Sequence, residues 1–77
     1  MSNIITIMPS EYTKVDIDEF CNTIGIDIGI LKMYENMNNY SELSSQATEY
    51  GLIPSGKEAI TDIKLINEDS ELFVRFE

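Results

Sequence analysis

The sequence predicts one small α+β domain with a winged-helix-like order of elements. A short N-terminal strand precedes a helix-turn-helix and a third helix, and a C-terminal β-hairpin forms a small antiparallel sheet with that strand. Three observations lead to this class: capping signals mark a helix at residues 17–24, a tight glycine turn leads into a second helix, and apolar residues alternate near the C-terminus. Residues 1–77 are expected to form a single acidic domain, since domains usually contain about 50–200 residues.

The helix at residues 17–24 has the clearest signal in the chain. Asp16 is a preferred N-cap residue, and Glu19, three positions later, is the acidic member of a capping box. Gly25 follows the last helical residue, where a positive φ commonly ends a helix. Apolar residues recur with helical spacing at Ile17, Phe20, Cys21 and Ile24.

Two further helices are predicted between residues 27 and 51. Asp27 is the cap of the second helix, directly after the glycine turn, and Asn38 ends it. Its apolar stripe is predicted to consist of Ile30 or Leu31, Tyr34 and Met37. The third helix is predicted to begin at the cap Ser41 and to stop at Gly51. Its apolar positions are Leu43, Ala47 and Tyr50.

The predicted sheet draws on three segments. Ile4–Met8 is rich in β-branched residues and ends at a proline. Residues 59–66 have similar content, although residues 55–58 could begin a helical turn before them. Residues 72–76 alternate cleanly, and the polar residues 67–70 join them to the preceding segment as a hairpin. A hairpin alone is marginal in water, so the N-terminal strand is expected to complete the sheet.

The composition excludes several classes of function. The chain has 14 Asp and Glu, 5 Lys and Arg and no His, which gives a net charge of −9. Without histidine there is no imidazole base and no histidine-ligated metal site. The single Cys21 rules out an internal disulfide and is expected in the core of a protein in a reducing cytoplasm. The N-terminus lacks the basic segment of a signal peptide, and no membrane association is expected.

No enzymatic, cofactor or metal site is expected from the acidic residues. Asp16 and Asp18 lie at a helix start and lack the continuation of a calcium loop, so capping explains them. The acidic run at residues 68–71 is expected to be a hairpin turn. Cys21 falls on the buried face of its helix and has no neighbouring base, which favours a core role over a nucleophilic one.

Residues 16–35 combine two helices, a glycine-containing turn and the pattern apolar-basic-x-Tyr-Glu at the end of the segment. This segment, about a quarter of the chain, resembles the N-terminal helix-turn-helix of MerR-type regulators, and it is similar to the MerR-like segment of a bacterial co-chaperone modulator. The matching positions are Glu19, Phe20, Cys21, Gly25, Ile26, Leu31, Lys32, Tyr34 and Glu35. The resemblance implies the local fold and two classes of ligand, duplex DNA for the regulators and protein for the modulator.

The charges of this segment depart from those of a DNA-binding protein. A helix that reads DNA presents Arg, Lys, Asn or Gln to the groove, with Lys and Arg on the flanking phosphates. Here Lys32 is the one base among five acids, and the wing equivalent at residues 68–71 is also acidic. Direct nucleic-acid binding is therefore not expected, and a small MerR-like transcriptional regulator that binds DNA is the alternative.

The expected function is that of a non-enzymatic inhibitor or adaptor that docks on a basic, nucleic-acid-binding surface of a partner protein and imitates DNA. In size and charge the chain resembles small acidic phage proteins that inhibit host enzymes. The competing interpretation is a solvated acidic surface that serves solubility, and a homo-oligomer is a further option. The predicted protein-binding residues are Asp16, Asp18, Glu19, Asp27, Glu35, Tyr40, Glu42, Glu49, Tyr50, Glu68, Asp69 and Glu71.

Overall fold

A computed structural model describes residues 9–77, and it confirms the predicted α+β class. Three helices accompany one three-stranded antiparallel sheet of order β1-β3-β2, in which β2 and β3 form the C-terminal hairpin. The elements in chain order are β1 (Tyr12–Val15), α1 (Ile17–Ile24), α2 (Ile28–Met37), α3 (Ser41–Glu49), β2 (Ile60–Ile66) and β3 (Glu71–Phe76).

The strand that completes the sheet is β1, which the sequence did not predict. The strand predicted at Ile4–Met8 lies outside the described residues. β1 alternates poorly in hydrophobicity, and its partner is distant in sequence, with Tyr12 opposite Arg75 and Val15 opposite Leu72. Tyr, Thr and Val all favour strands, but a four-residue segment without alternation is a weak signal, so pairing with β3 is what defines this strand.

The helix-turn-helix forms as its capping residues predict. The Asp16 carboxylate accepts a hydrogen bond from the Glu19 backbone N–H (3.0 Å), and the Asp27 carboxylate accepts one from the Ile30 N–H (3.0 Å). Gly25 has a φ of 87°, and its N–H donates to the Cys21 carbonyl (2.8 Å). Each aspartate thus occupies donors that the first helical turn leaves unpaired.

We expect Gly25→Ala to lower the free energy of unfolding by about 1–2 kcal/mol, because an L-residue is strained at positive φ. No atom lies within 4 Å of the position that a Cβ would occupy, so the cost comes from the backbone alone. Gly25→Asn is the matched control and should lose less, since asparagine tolerates this conformation. Urea denaturation measures both variants, and equal losses would contradict the conformational explanation.

The third helix corrects two expectations. Its N-cap is Tyr40, not Ser41, and no side chain caps it there; instead the Asn39 side chain accepts from the Ser41 N–H (3.4 Å) and hydroxyl (3.1 Å). Tyr50 lies just beyond the helix and is 50 % exposed, so its assignment to the apolar stripe was wrong. Met37 of α2, assigned to the second stripe, is also solvent-exposed at 59 %. Met37 is the last residue of α2, and Tyr50 is the first residue after α3.

The core lies between the inner face of the sheet and the three helices. On α2 the structure selects Leu31, which is fully buried, over Ile30, which is half-buried. The alternation predicted for β3 is confirmed, because Leu72, Val74 and Phe76 all point inward. The buried side chains are Phe20, Cys21, Ile24, Leu31, Leu43, Ala47, Ile60, Ile63, Leu72, Val74 and Phe76.

Side chains from the helices cover the outer edge of β2. The Ser44 hydroxyl accepts from the Ile60 N–H (2.9 Å), and the Glu35 carboxylate accepts from the Leu65 N–H (3.0 Å). These bonds occupy backbone donors that would otherwise invite another strand to pair with the edge.

Candidate protein-binding site

The bases of this chain are mostly neutralised within the fold. Four of the five lie within salt-bridge distance of a carboxylate, as Lys14–Glu71 (3.2 Å), Lys32–Asp69 (2.9 Å), Lys64–Asp62 (3.8 Å) and Arg75–Glu77 (3.4 Å). All four acidic partners lie in β2, the hairpin turn, β3 or the terminal residue. Ten side-chain carboxylates remain, seven of them in the helices or at their N-caps, and none has such a base within the described part of the chain.

The first turn of α1 forms one end of this acidic surface. Asp16, Asp18 and Glu19 are solvent-exposed there. Leu52 borders a cavity together with Asp16 and Glu19, so the segment that follows α3 adjoins this turn. Glu49 and Tyr50, which precede Leu52 by two or three residues, are exposed as well. Three of the predicted residues therefore lie together at the start of α1, and we call Asp16, Asp18 and Glu19 the α1 acidic end.

Beneath the α1 acidic end lies a cavity of about 120 Å³. Its floor is apolar, and two carboxylates border it. Phe20 and Phe76 are almost completely buried, at 4 % and 6 % exposure. The lining residues are Val15, Asp16, Glu19, Phe20, Leu52 and Phe76. Ligand pockets for metabolites usually measure about 300–1,000 Å³, so this cavity suits a single side chain.

The outward face of α2 carries no free cation. Met33 and Met37 are 49 % and 59 % exposed, and Gly29 and Asn36 are exposed beside them. Lys32, the sole base of the helix, is engaged with Asp69 of the hairpin turn. A helix that enters a DNA groove needs basic or amide side chains along this face, and only Asn36 provides one.

Besides Asp16 and Asp27, which cap helices, four of the predicted protein-binding residues make contacts within the fold. Glu35 caps the β2 edge. Tyr40 is half-buried, and its hydroxyl donates to Asp62 (3.0 Å). Asp69 and Glu71 are the acidic partners of Lys32 and Lys14.

The other predicted residues remain available on the surface. Asp27 is exposed at the start of α2, where it caps the helix, and Glu68 is exposed in the hairpin turn. Glu42 is exposed in the first turn of α3, near Tyr34. Burial and then the neighbouring Glu42 carboxylate raise the pKa of the Tyr34 hydroxyl. These acids are not gathered at the α1 acidic end.

Asp62 is an important residue that sequence reasoning missed. Its side chain is only 17 % exposed and accepts hydrogen bonds from the hydroxyls of both Tyr12 and Tyr40. Burial alone would raise the pKa of this carboxyl, but the hydrogen bonds from Tyr12 and Tyr40 and the charge of Lys64 outweigh it and lower the pKa. A register shift in β2 between Ile60 and Asp62 helps to place the carboxylate, and no local pattern in the sequence signals such a bulge.

A second concavity, of about 740 Å³, lies between α3 and the start of β2. It is an open groove lined by hydroxyl and amide side chains. Two of these side chains already form hydrogen bonds within the fold: the Ser44 hydroxyl accepts from the Ile60 N–H, and the Tyr40 hydroxyl donates to Asp62. Among the described residues, no three Cys, Asp or Glu side chains are grouped so that they could hold a metal ion.

The helices of residues 9–77 are too short and too polar to cross a bilayer. Comparisons of this chain with models of protein families, with curated proteins and with solved structures found no match.

Proposed function

We propose that this chain is a non-enzymatic acidic protein-binding module, an inhibitor or adaptor that docks on a basic surface of a partner protein. One observation carries the proposal: the helical region from residue 16 to residue 50 has seven carboxylates and one base, and that base is held in an ion pair by the hairpin turn. The field of this region is therefore strongly negative, which attracts a basic partner and accelerates its association.

The binding mode that fits this charge is imitation of nucleic acid. Carboxylates on a rigid scaffold can occupy the phosphate positions of a basic groove, and the partner is then a nucleic-acid-binding protein of the host. In this proposal the chain acts as an inhibitor of a host enzyme, and a phage is a source that fits this role. The uncharged outward face of α2 supports protein binding over direct binding of DNA.

We place this activity in the cytoplasm. The single cysteine, Cys21, is a buried thiol of 8 % exposure, and burial raises its pKa. Such a thiol is unreactive. A free cysteine fits the cytoplasm, where thiols are kept reduced.

The proposal is tested by affinity capture from a host lysate at low salt, followed by affinity measurement with the captured protein. The test variant is Asp18→Lys with Glu19→Lys, which leaves the Asp16 cap intact. Its control, Glu11→Lys with Glu58→Lys, makes the same change in charge at exposed positions outside the helices and outside the predicted binding residues. We expect the test variant to bind about fivefold more weakly or worse, with a smaller salt dependence, and the control to lose less.

Competition with duplex DNA completes the test. We expect DNA to release the captured protein, since both would occupy the same basic surface. Capture that is unaffected by either charge reversal or by DNA would contradict the proposal. Sequence-specific retardation of genomic fragments by the chain itself would instead establish a DNA-binding regulator.

A further inference from the structure

We infer that the cavity beneath the α1 acidic end is a socket for one lysine side chain of the basic partner. This inference rests on the proposed function and names the group that the partner inserts. The socket is the space lined by Val15, Asp16, Glu19, Phe20, Leu52 and Phe76.

The volume and lining of the socket suit an aliphatic stem. Its volume of about 120 Å³ equals that of about four water molecules, which is the scale of a single unbranched side chain. The rings of Phe20 and Phe76 and the side chains of Val15 and Leu52 provide apolar contacts. A lysine buries its methylene groups against such a surface and keeps its ammonium group at the rim.

The charges at the rim select a cation over a neutral chain. Asp16 and Glu19 both border the socket, and within residues 9–77 neither lies within salt-bridge distance of a base. One Asp16 oxygen accepts the Glu19 N–H, which leaves its second oxygen and the whole Glu19 carboxylate for a ligand. The partial positive charge at the start of α1 is smaller than these two negative charges together, so the rim remains attractive to an ammonium group.

A lysine inserted into the socket would fix the position of the partner on the acidic surface. Exposed charge pairs contribute little affinity each and are screened by salt. A buried stem adds contact area and fixes one residue of the partner in a defined place. The α1 acidic end thus combines a long-range field with one specific point of attachment.

The test uses NMR titration of the full chain with Nα-acetyl-lysine methylamide. The signals followed are the methyl groups of Val15 and Leu52, and Nα-acetyl-norleucine methylamide, which lacks the ammonium group, is the matched ligand. We expect the lysine amide, and not the norleucine amide, to shift these methyl signals. The double variant Asp16→Asn with Glu19→Gln keeps a capping side chain and should weaken binding about tenfold. Glu58→Gln, an exposed position outside the α1 acidic end, should change it by less than about twofold.

Titration with deca-lysine separates this inference from the proposed function. If deca-lysine binds at low salt but the Val15 and Leu52 methyl signals do not move with the lysine amide, the socket is refuted and the acidic docking surface stands. If neither probe binds, both proposals are refuted. Equal shifts with the norleucine amide would also overturn the lysine inference, since the cavity would then bind any apolar chain.

Discussion

Leu31→Ala should destabilise the protein by about 2–5 kcal/mol, the range for removing a fully buried leucine side chain. Leu31 lies at the middle of α2 and has no exposed surface. A chain of 77 residues has a total stability of about 4–12 kcal/mol. The loss is therefore large enough to leave a substantial fraction of the molecules unfolded.

The matched control for this substitution is Met33→Ala on the same helix. Met33 is 49 % exposed on the outward face, so its truncation should change the free energy of unfolding by no more than about 0.5 kcal/mol. Urea denaturation with an unchanged m-value measures both effects. Similar losses in the two variants would mean that α2 is rotated so that Met33 also packs in the core. The outward face of α2 would then consist of other residues.

The comparison between Leu31 and Ile30 shows what the sequence could and could not predict about the helices. The limits of α1 and the start of α2 depend on short-range chemistry, namely the Asp16 and Asp27 caps and the turn at Gly25, and the sequence predicts these correctly. The rotation of α2 depends on which residues the sheet offers as partners. Periodicity alone left Ile30 and Leu31 equivalent, because both fit an apolar stripe.

The sheet was predictable only in its local part. The hairpin of β2 and β3 follows from alternation and a polar turn within neighbouring residues. β1 is stabilised by pairs such as Tyr12 with Arg75, more than 60 residues apart, and its four residues are too few to give a strand signal of their own. The position of β1 therefore depends on long-range pairing with β3, which patterns within a short segment do not show.

The candidate site also has one feature that the sequence predicts and others that only the fold creates. The excess of acidic residues on the helices was visible in the sequence, because charge is a property of composition. The socket was not, since it joins residues of β1, α1, the loop after α3 and the end of β3. The fold likewise assigned internal roles to Glu35 and Tyr40, and only their positions beside β2 reveal this.

Asp62→Ala should lower the free energy of unfolding by about 2–3 kcal/mol. Hydrogen bonds to a charged group contribute about 1.5–3 kcal/mol each, but the carboxylate keeps some access to water, so the two bonds should not give their full sum. The substitution leaves the Tyr12 and Tyr40 hydroxyls without their common acceptor. Tyr12 belongs to β1 and Tyr40 precedes α3, so Asp62 joins three distant segments of the chain.

Two sets of variants test this role by urea denaturation. Tyr12→Phe and Tyr40→Phe should each cost about 1–2 kcal/mol, and each should cost less when Asp62 is already alanine, because the interacting partner is gone. Glu49→Gln removes one exposed carboxylate and should change stability by no more than about 0.5 kcal/mol. Additive losses in the double variants would show that the hydroxyls and the carboxylate do not act as a unit.

The contribution of Asp62 to the free energy of unfolding should decrease in acid. Because the folded pKa of Asp62 is lowered, its contribution is complete above the unfolded pKa of about 3.9 and is lost as the pH falls through the folded value. Other carboxylates also titrate in acid, so the diagnostic quantity is the stability difference between the wild type and Asp62→Asn. We expect that difference to be constant near neutral pH and to shrink in acid. A difference that persists at the lowest pH would show that the neutral carboxyl group, and not its charge, provides the contribution.

The alkaline end tests the same cluster through its donors. Burial first, and then the Asp62 hydrogen bond and charge, raise the pKa of Tyr40 to about 12. The unfolded chain loses this proton near pH 10, before the folded chain does, so the stability that depends on it is retained below about pH 10 and lost between there and about 12. Tyr40→Phe should remove this part of the alkaline loss, measured as the urea midpoint over that range. An unchanged alkaline slope in Tyr40→Phe would show that the hydroxyl titrates alike in both states and does not donate to Asp62 in the folded protein.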